Sequence, residues 1–366
     1  MKTICIDARM YGITHTGIGR YTENLIRFLP SNSSTRILLV VSPENASHPD
    51  LASFEKVIAR FHPYAIPAQF EMLWIWLKYR PSLLHATHSS IPALWPGKLV
   101  VTFHDLIRHH SKGKGTTTRK YFLYWFKYLG YLAVDLVAMW RAAKIIVPAK
   151  YWRDILIRRY HLPPEKIAVT YEGVDVKFKI DKNKKTPFGL RRPFVVYTGN
   201  LYPHKNLKVL FQAIKLLNGQ INLALVGSKS IFSQRATSQI TEMGIQNWVT
   251  VLGRLKDGEI SSLYSQALAF VFPSLIEGFG LTGLEAMAVG LPVIAANASC
   301  LPEIYENSAM YFDPYNPQDL ADKISLLNDD PTLRRDLIKK GLVQVKKYSW
   351  VKMSQETWQI YLNALR

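Results

Sequence analysis

A chain of 366 residues is long for one hydrophobic core, and 48% hydrophobic with 20% charged residues supplies apolar material for two globular domains. Two cysteines, Cys5 and Cys300, argue against a disulfide framework and for a reducing compartment. The net charge of +19 is uneven, +15 in residues 1–186 and +4 in 187–366, so the first half is the candidate for an anionic partner: nucleic acid, a membrane surface or an anionic substrate.

Ile4–Asp7 reads as the first strand, with no signal peptide before it. A loop from Ala8 to Arg20 follows, then a helix over Tyr21–Leu29. Gly17 and Gly19 sit in that loop at a helix N-terminus, where an anion can bind; Arg20 is an anion contact or a solvated helix-start residue. Asp7 and Arg9 are expected to pair at the strand end. Further strands are predicted at Ile37–Val41, Leu83–Thr87 and Leu99–Phe103, with an aromatic-rich helix over Phe70–Lys78. The last of these strands delivers His104-Asp105 at its carboxyl end, the place where parallel sheets hold ligands.

Lys120–Ala143 is the most apolar segment, yet Lys127 and Asp135 interrupt it, and no uncharged apolar run of about 18 residues exists to span a bilayer. It reads as a buried helix or as an interfacial one meeting lipid headgroups; stacking on single-stranded nucleic acid is a third use of its aromatics. A strand over Lys144–Val147, a helix over Trp152–Tyr160 and a strand over Ile167–Thr170 lead to Glu172-Gly173-Val174-Asp175. The basic stretch Lys177–Arg192 is the expected linker.

The second half opens with a strand over Phe194–Thr198 that runs into Gly199, Asn200 and Lys205 ahead of a helix over Leu207–Leu217. A lysine at a helix start opposes the helix dipole unless a phosphate lies between them. Leu223–Ser228 is another strand and glycine turn, and Arg254 closes a strand around Val251–Gly253. A helix is expected over Leu255–Ala267. Ala269–Phe272 is a buried strand, and Glu277, Gly278, Phe279, Gly280 and Leu281 form a glycine-rich loop. Thr282-Gly283-Leu284-Glu285 then fits a capping box opening a short helix that stops at Gly290 and Pro292. Glycines admit a diphosphate to the backbone, while Glu277 and Glu285 suit sugar hydroxyls. No Asp-x-Asp motif or Cys/His cluster calls for a metal.

The passage EGFGLTGLEAMAVGLPVIA resembles the E-x7-E signature of retaining GT-B glycosyltransferases of family four, with Thr282-Gly283 where many members carry two prolines. The resemblance implies two doubly wound, Rossmann-like α/β domains facing across a cleft: residues 1–186, completed by a C-terminal helix at about 350–366, and residues 187–349. It implies that Glu277 contacts the donor sugar, that Glu285 holds the ribose, and that His104 in TFHD helps to position sugar and leaving group. Lys205 matches the family's diphosphate clamp. Asn200 stands where many members have arginine, a place that His204 or Arg254 would have to fill.

DARMYGITHTGIGRYTENL and YTGNLYPHKNL are further similar to bacterial mannosyltransferases that extend lipid-linked glycans. That implies GDP-mannose as donor substrate with no cofactor, a glycan or polyprenyl-diphosphate-linked acceptor, and a cytoplasmic protein at the inner membrane face. The rival readings are a UDP-sugar transferase of the same fold, a GT-B phosphorylase or epimerase, and a basic membrane- or nucleic-acid-binding protein without transferase activity.

Overall fold

The computed structural model describes residues 2–12, 16–30, 35–110, 121–174, 188–228 and 230–366. The chain divides into two compact units, residues 1–173 with 349–366 and residues 174–348. The expected boundary at 186/187 lies outside the described residues, as do Asp175 and most of the expected linker.

In the first unit the strands are β1 (Thr3–Asp7), β2 (Arg36–Val41), β3 (Glu55–Ile58), β4 (Leu83–Ala86), β5 (Lys98–Thr102), β6 (Lys144–Val147) and β7 (Ile167–Val169). They form one sheet in the order β3-β2-β1-β4-β5-β6-β7, with every pairing parallel. Its helices are α1 (Thr16–Arg27), α2 (Pro67–Tyr79), α3 (Ile107–His110), α4 (Tyr121–Arg141) and α5 (Lys150–Tyr160). Central strands are buried throughout, which is why they read as apolar runs rather than alternating ones.

The second unit repeats the plan. Its strands are β8 (Phe194–Thr198), β9 (Asn222–Val226), β10 (Val249–Gly253), β11 (Ala269–Phe272), β12 (Val293–Ala296) and β13 (Ala309–Phe312), in the order β10-β9-β8-β11-β12-β13 and again all parallel. Its helices are α6 (Leu207–Leu216), α7 (Ile231–Glu242), α8 (Asp257–Tyr264), α9 (Leu281–Ala288), α10 (Leu301–Tyr305), α11 (Pro317–Asp329) and α12 (Pro331–Gln344).

A last helix, α13 (Trp350–Leu365), belongs to the first unit. Lys2 and Lys98 donate from Nζ to the carbonyls of Leu365 and Ala364, satisfying its C-terminal end, and Ser354 Oγ donates to Leu25 O of α1. The chain leaves this unit at Gly173, where a Cβ would come within 2.2 Å of the Trp350 nitrogen. Only glycine admits the start of α13 there.

Three local expectations are corrected. Helix α1 starts at Thr16 rather than Tyr21, so Gly17, Gly19 and Arg20 form its first turns instead of a preceding loop. Helix α8 is shorter than Leu255–Ala267; Lys256 N–H bonds the Glu259 carboxylate at its start, and the chain turns at Ser265. The capping box at Thr282 is absent, because α9 starts one residue earlier with Gly280 as its cap residue at φ 97° and no side-chain cap. Gly280 reaches that left-handed conformation without Cβ strain, so the helix start needs no hydroxyl.

Candidate functional site

In each sheet the strand order reverses once: between β1 and β4 in the first unit, and between β8 and β11 in the second. Ligands of doubly wound folds bind outside the carboxyl ends of the strands at that switch point. Both switch points carry charged and buried polar side chains.

In the second unit, glycines end the three strands on one side of the switch. Gly199 N–H donates to Val226 O, Gly227 N–H donates to Gly253 O, and a Cβ on Gly227 would sit 2.8 Å from Gly199 O. Tyr197 OH donates to Asn200 O across the turn, and Asn200 itself is exposed. Side chains also line these turns, since a Cβ on Gly227 would meet Leu201 at 3.2 Å and one on Gly199 the Tyr197 hydroxyl at 3.1 Å, so packing within the turns accounts for both glycines.

Across the switch, Lys205 Nζ, from the segment after β8, donates to Glu277 Oε1, after β11, at 2.6 Å, and the two side chains are 15% and 10% exposed. Lys205 ends a short 3-10 turn, Pro203–Lys205, and Leu275 N–H bonds His204 O, joining that turn to the loop after β11. Two residues expected in the site are therefore bonded to each other. The Glu277 main chain is fixed as well: its N–H donates to Ser299 Oγ, and Ser299 Oγ and Cys300 Sγ donate to its carbonyl. Glu285 follows on α9 and is 5% exposed. Ser274, fully buried two residues past β11, has a hydroxyl with no hydrogen-bond partner among the described residues.

The remaining loop residues divide by contact. Phe279 is buried with its ring edge-on to Tyr348, so it is core. Tyr305 OH donates to Gly280 O, and a Cβ on Gly280 or Gly283 would lie 2.6 or 2.2 Å from that hydroxyl. These two glycines make room for Tyr305, so their presence carries no ligand signal. Leu281 opens α9, and Gly278 lies at the middle of the loop.

Neither substitute for the missing arginine is built into the Lys205–Glu277 pair. Burial, with Lys205 adding to it, lowers the His204 pKa to about 4, so its ring is neutral at neutral pH. Arg254 is exposed just past β10, a strand at the far edge of the sheet.

In the first unit His104 follows β5. Its Nε2 lies 2.9 Å from Thr87 O and its Nδ1 3.3 Å from Glu172 Oε1, while Tyr21 meets the ring edge-on. Both nitrogens face acceptors inside this unit, which fixes the ring plane. Asp105 accepts from Ile107 N–H and so caps α3. Gly19 is packed rather than open, since a Cβ there would collide with Gly12 O at 1.9 Å; Gly17 is exposed with open space.

At the switch itself Arg9 donates from Nε and Nη2 to both Asp7 oxygens at 2.8 and 2.5 Å. Burial pushes the Asp7 carboxyl up, but the Arg9 charge and hydrogen bonds outweigh it and hold the pKa well below the usual carboxylate range. His88 lies beside this pair.

Sequence reasoning missed Ser299, Tyr305 and His88, each set by packing between distant segments, and it named Glu172 without its partner His104.

The family described as Glycosyltransferase Family 4 matches residues 15–178, and Glycosyl transferases group 1 matches residues 178–343. O-antigen chain mannosyltransferase B of Escherichia coli is 25% identical over 94% of this chain and 96% of its own length. O-antigen chain mannosyltransferase RfbU of Salmonella typhimurium is 25% identical over 84% and 82%. In fold, the chain is similar to sucrose-phosphate synthase from Thermosynechococcus elongatus (TM-score 0.77, 18% identity, 99% of each chain). It is likewise similar to Anabaena HepE in complex with UDP-glucose (TM-score 0.76, 18% identity, 99% of this chain and all of that one). With a family 4 domain followed by a group 1 domain, each on its own parallel sheet, the chain belongs to the GT-B glycosyltransferases.

Proposed function

We propose that the chain transfers mannose from GDP-mannose, with retention of configuration, to a polyprenyl-diphosphate-linked glycan at the inner membrane face. The observation that carries the donor side is the Lys205–Glu277 bond at the second switch point. A partly buried ammonium held by one carboxylate can be shared with a phosphate that arrives beside it, and the carboxylate keeps acceptor sites for sugar hydroxyls. Glu285 is assigned to the ribose and His104 to the sugar.

In the reaction the bond from the anomeric carbon to the donor phosphate breaks, and a bond to the acceptor oxygen forms on the same face. The acceptor proton passes to the departing phosphate. Lys205 and the N–H groups at the start of α9 meet the charge that builds on the diphosphate, and no metal is required in this scheme.

Mannose as the sugar rests on the names of the Escherichia coli and Salmonella relatives. The UDP-glucose bound to Anabaena HepE makes a UDP-sugar the second donor reading.

The membrane reading rests on the first unit. Helix α2 and the residue before it expose Ile66, Phe70, Trp74 and Leu77 as a single stripe, and α4 exposes Phe126, Leu129, Leu136 and Trp140 on the face opposite buried Asp135 and Met139. Both helices are tied to the same segment: Gln69 Nε2 bonds Ile91 O, and Arg141 bonds the carbonyls of Ala93 and Trp95. Exposed apolar stripes beside lysine and arginine suit an interfacial surface, where each basic residue adds about 1 kcal/mol on anionic lipid. Among the described residues no helix is long and apolar enough to cross a membrane.

Calorimetric titration of the full chain with GDP-mannose and UDP-glucose tests the donor. Tighter binding of GDP-mannose is expected, and Glu285→Gln should weaken it at least tenfold, as for a lost charged hydrogen bond of about 1.5–3 kcal/mol. Tighter UDP-glucose replaces the donor assignment, and binding of neither overturns it. Sedimentation with anionic vesicles against single-stranded oligonucleotide over a salt series decides the use of the basic first half.

A further inference from the structure

The first switch point holds a further group of polar and aromatic side chains beside the Asp7–Arg9 pair. His88 lies two residues past β4 and is 1% exposed, and neither ring nitrogen has a hydrogen-bond partner among the described residues. Its Nε2 lies 3.6 Å from Asp7 Oδ2, close enough to help hold that carboxyl down, and Arg9 already bonds the same oxygen. A buried polar group without a partner is uncommon in native proteins and calls for an explanation.

Above His88 stands Tyr64, 44% exposed, its ring centroid 5.9 Å from the imidazole. The Tyr64 loop is tied down from several sides. Arg9 Nη1 donates to Phe61 O, the Glu71 carboxylate accepts from the N–H groups of Arg60 and Phe61, and Ser90 Oγ donates to Pro63 O. The buried Arg9 thus orders both the switch-point carboxylate and the loop that presents the tyrosine.

Arg108, on α3 just past His104-Asp105, completes the group. Its guanidinium lies 5.6 Å from the Tyr64 ring centre and 4.6 Å from that of Tyr131 on α4. The side chain is exposed and makes no hydrogen bond among the described residues. Two tyrosine rings hold a planar cation in place while its N–H donors remain for a ligand, and such a fork matches phosphate oxygens two at a time. An exposed aromatic face beside it suits the apolar face of a sugar ring.

We propose that Arg108 and Tyr64, the latter set over buried His88, form the acceptor subsite and recognise the phosphate of a glycosyl phosphate or diphosphate, Arg108 binding the phosphate and Tyr64 the adjoining sugar. This rests on the transferase reading above and assigns the residues that bind the acceptor's phosphate and sugar. Tyr131 places the subsite against α4, whose opposite face carries the exposed apolar stripe, so a lipid-linked diphosphate is the favoured source.

The test uses the full chain with the donor site filled by saturating GDP or UDP, whichever binds. Three probes are titrated: mannose on a short prenyl diphosphate, octyl mannoside, and free mannosyl phosphate. Binding of the prenyl-diphosphate sugar should fall at least tenfold in Arg108→Gln and in Tyr64→Ala, while octyl mannoside changes less than about twofold in Arg108→Gln. Comparable affinity for mannosyl phosphate would make a soluble sugar phosphate the source. Equal affinity of wild type and Arg108→Gln for both phosphate probes overturns the subsite, as does their loss in Lys205→Ala with Arg108→Gln unaffected. If neither nucleotide binds the wild type, the donor reading fails, and the Arg108 comparison, run without nucleotide, still decides the subsite.

Discussion

The two switch points share a topology and differ in what occupies it. Each has a polar side chain, fully or nearly fully buried, two residues past the strand that follows the reversal, His88 after β4 and Ser274 after β11, and neither finds a hydrogen bond among the described residues. Each also has an ion pair. In the first unit it is Asp7–Arg9, sealed from solvent and tying down a loop; in the second it is Lys205–Glu277, partly exposed and reaching across from a different segment. A sealed pair has no remaining reach toward a ligand, so it serves as scaffold, and recognition passes to the residues it positions. A partly exposed pair can reopen toward a phosphate, so there the pair itself is the candidate machinery.

The sharpest way to break this contrast is to remove one partner of each pair. Arg9→Met leaves the Asp7 carboxylate buried without its cation and should cost about 3–5 kcal/mol in urea denaturation. Lys205→Met leaves Glu277 nearer to water and should cost less, about 1–3 kcal/mol, while donor affinity falls. A scaffold pair that costs no more than the machinery pair would erase the distinction.

The next effect concerns glycines that look like ligand loops. Gly283→Ala brings a methyl against the Tyr305 ring and should cost about 1–3 kcal/mol by overpacking. Paired with Tyr305→Leu, which vacates the space, the added cost of the alanine should vanish in a double-mutant cycle. An unchanged cost would mean that something other than Tyr305 requires glycine at position 283.

These cases mark what can be read in a linear chain. The doubly wound plan was legible, because buried parallel strands are contiguous apolar runs and each glycine turn follows one, as at Phe194–Gly199. Spacing singled out Glu277 and Glu285, and the fold leaves both nearly buried after β11, with Glu277 bonded to Lys205. The capping box at Thr282 was misread because Gly280 starts the helix through its own backbone freedom, which a pattern of side chains does not display. Gly19 and Gly280 looked like phosphate-loop glycines because a glycine required by Gly12 O or Tyr305 is written with the same letter as one required by a diphosphate. Tyr64, His88 and Arg108 come from three separate segments, and only the fold brings them together.

The last effect is a difference in acid response. Burial lowers the His204 pKa to about 4 from its ordinary 6.5, so the folded second unit keeps this ring neutral while the unfolded chain protonates it. The unfolded state then binds more protons between about pH 6.5 and 4, so the stability from the neutral ring is present above 6.5 and is lost as pH falls toward 4. In the first unit the Asp7–Arg9 pair behaves otherwise: its contribution is present above the ordinary aspartate range and persists through this whole window. His85, buried in that unit with its pKa lowered to about 3, declines as His204 does but over a wider range, to about pH 3. Urea midpoints of wild type and His204→Gln, measured from pH 7 to 4, should therefore converge as pH falls, the variant lacking this source of acid loss. Parallel curves would mean that His204 is not held neutral beside Lys205, and would reopen it as the second cation of the donor site.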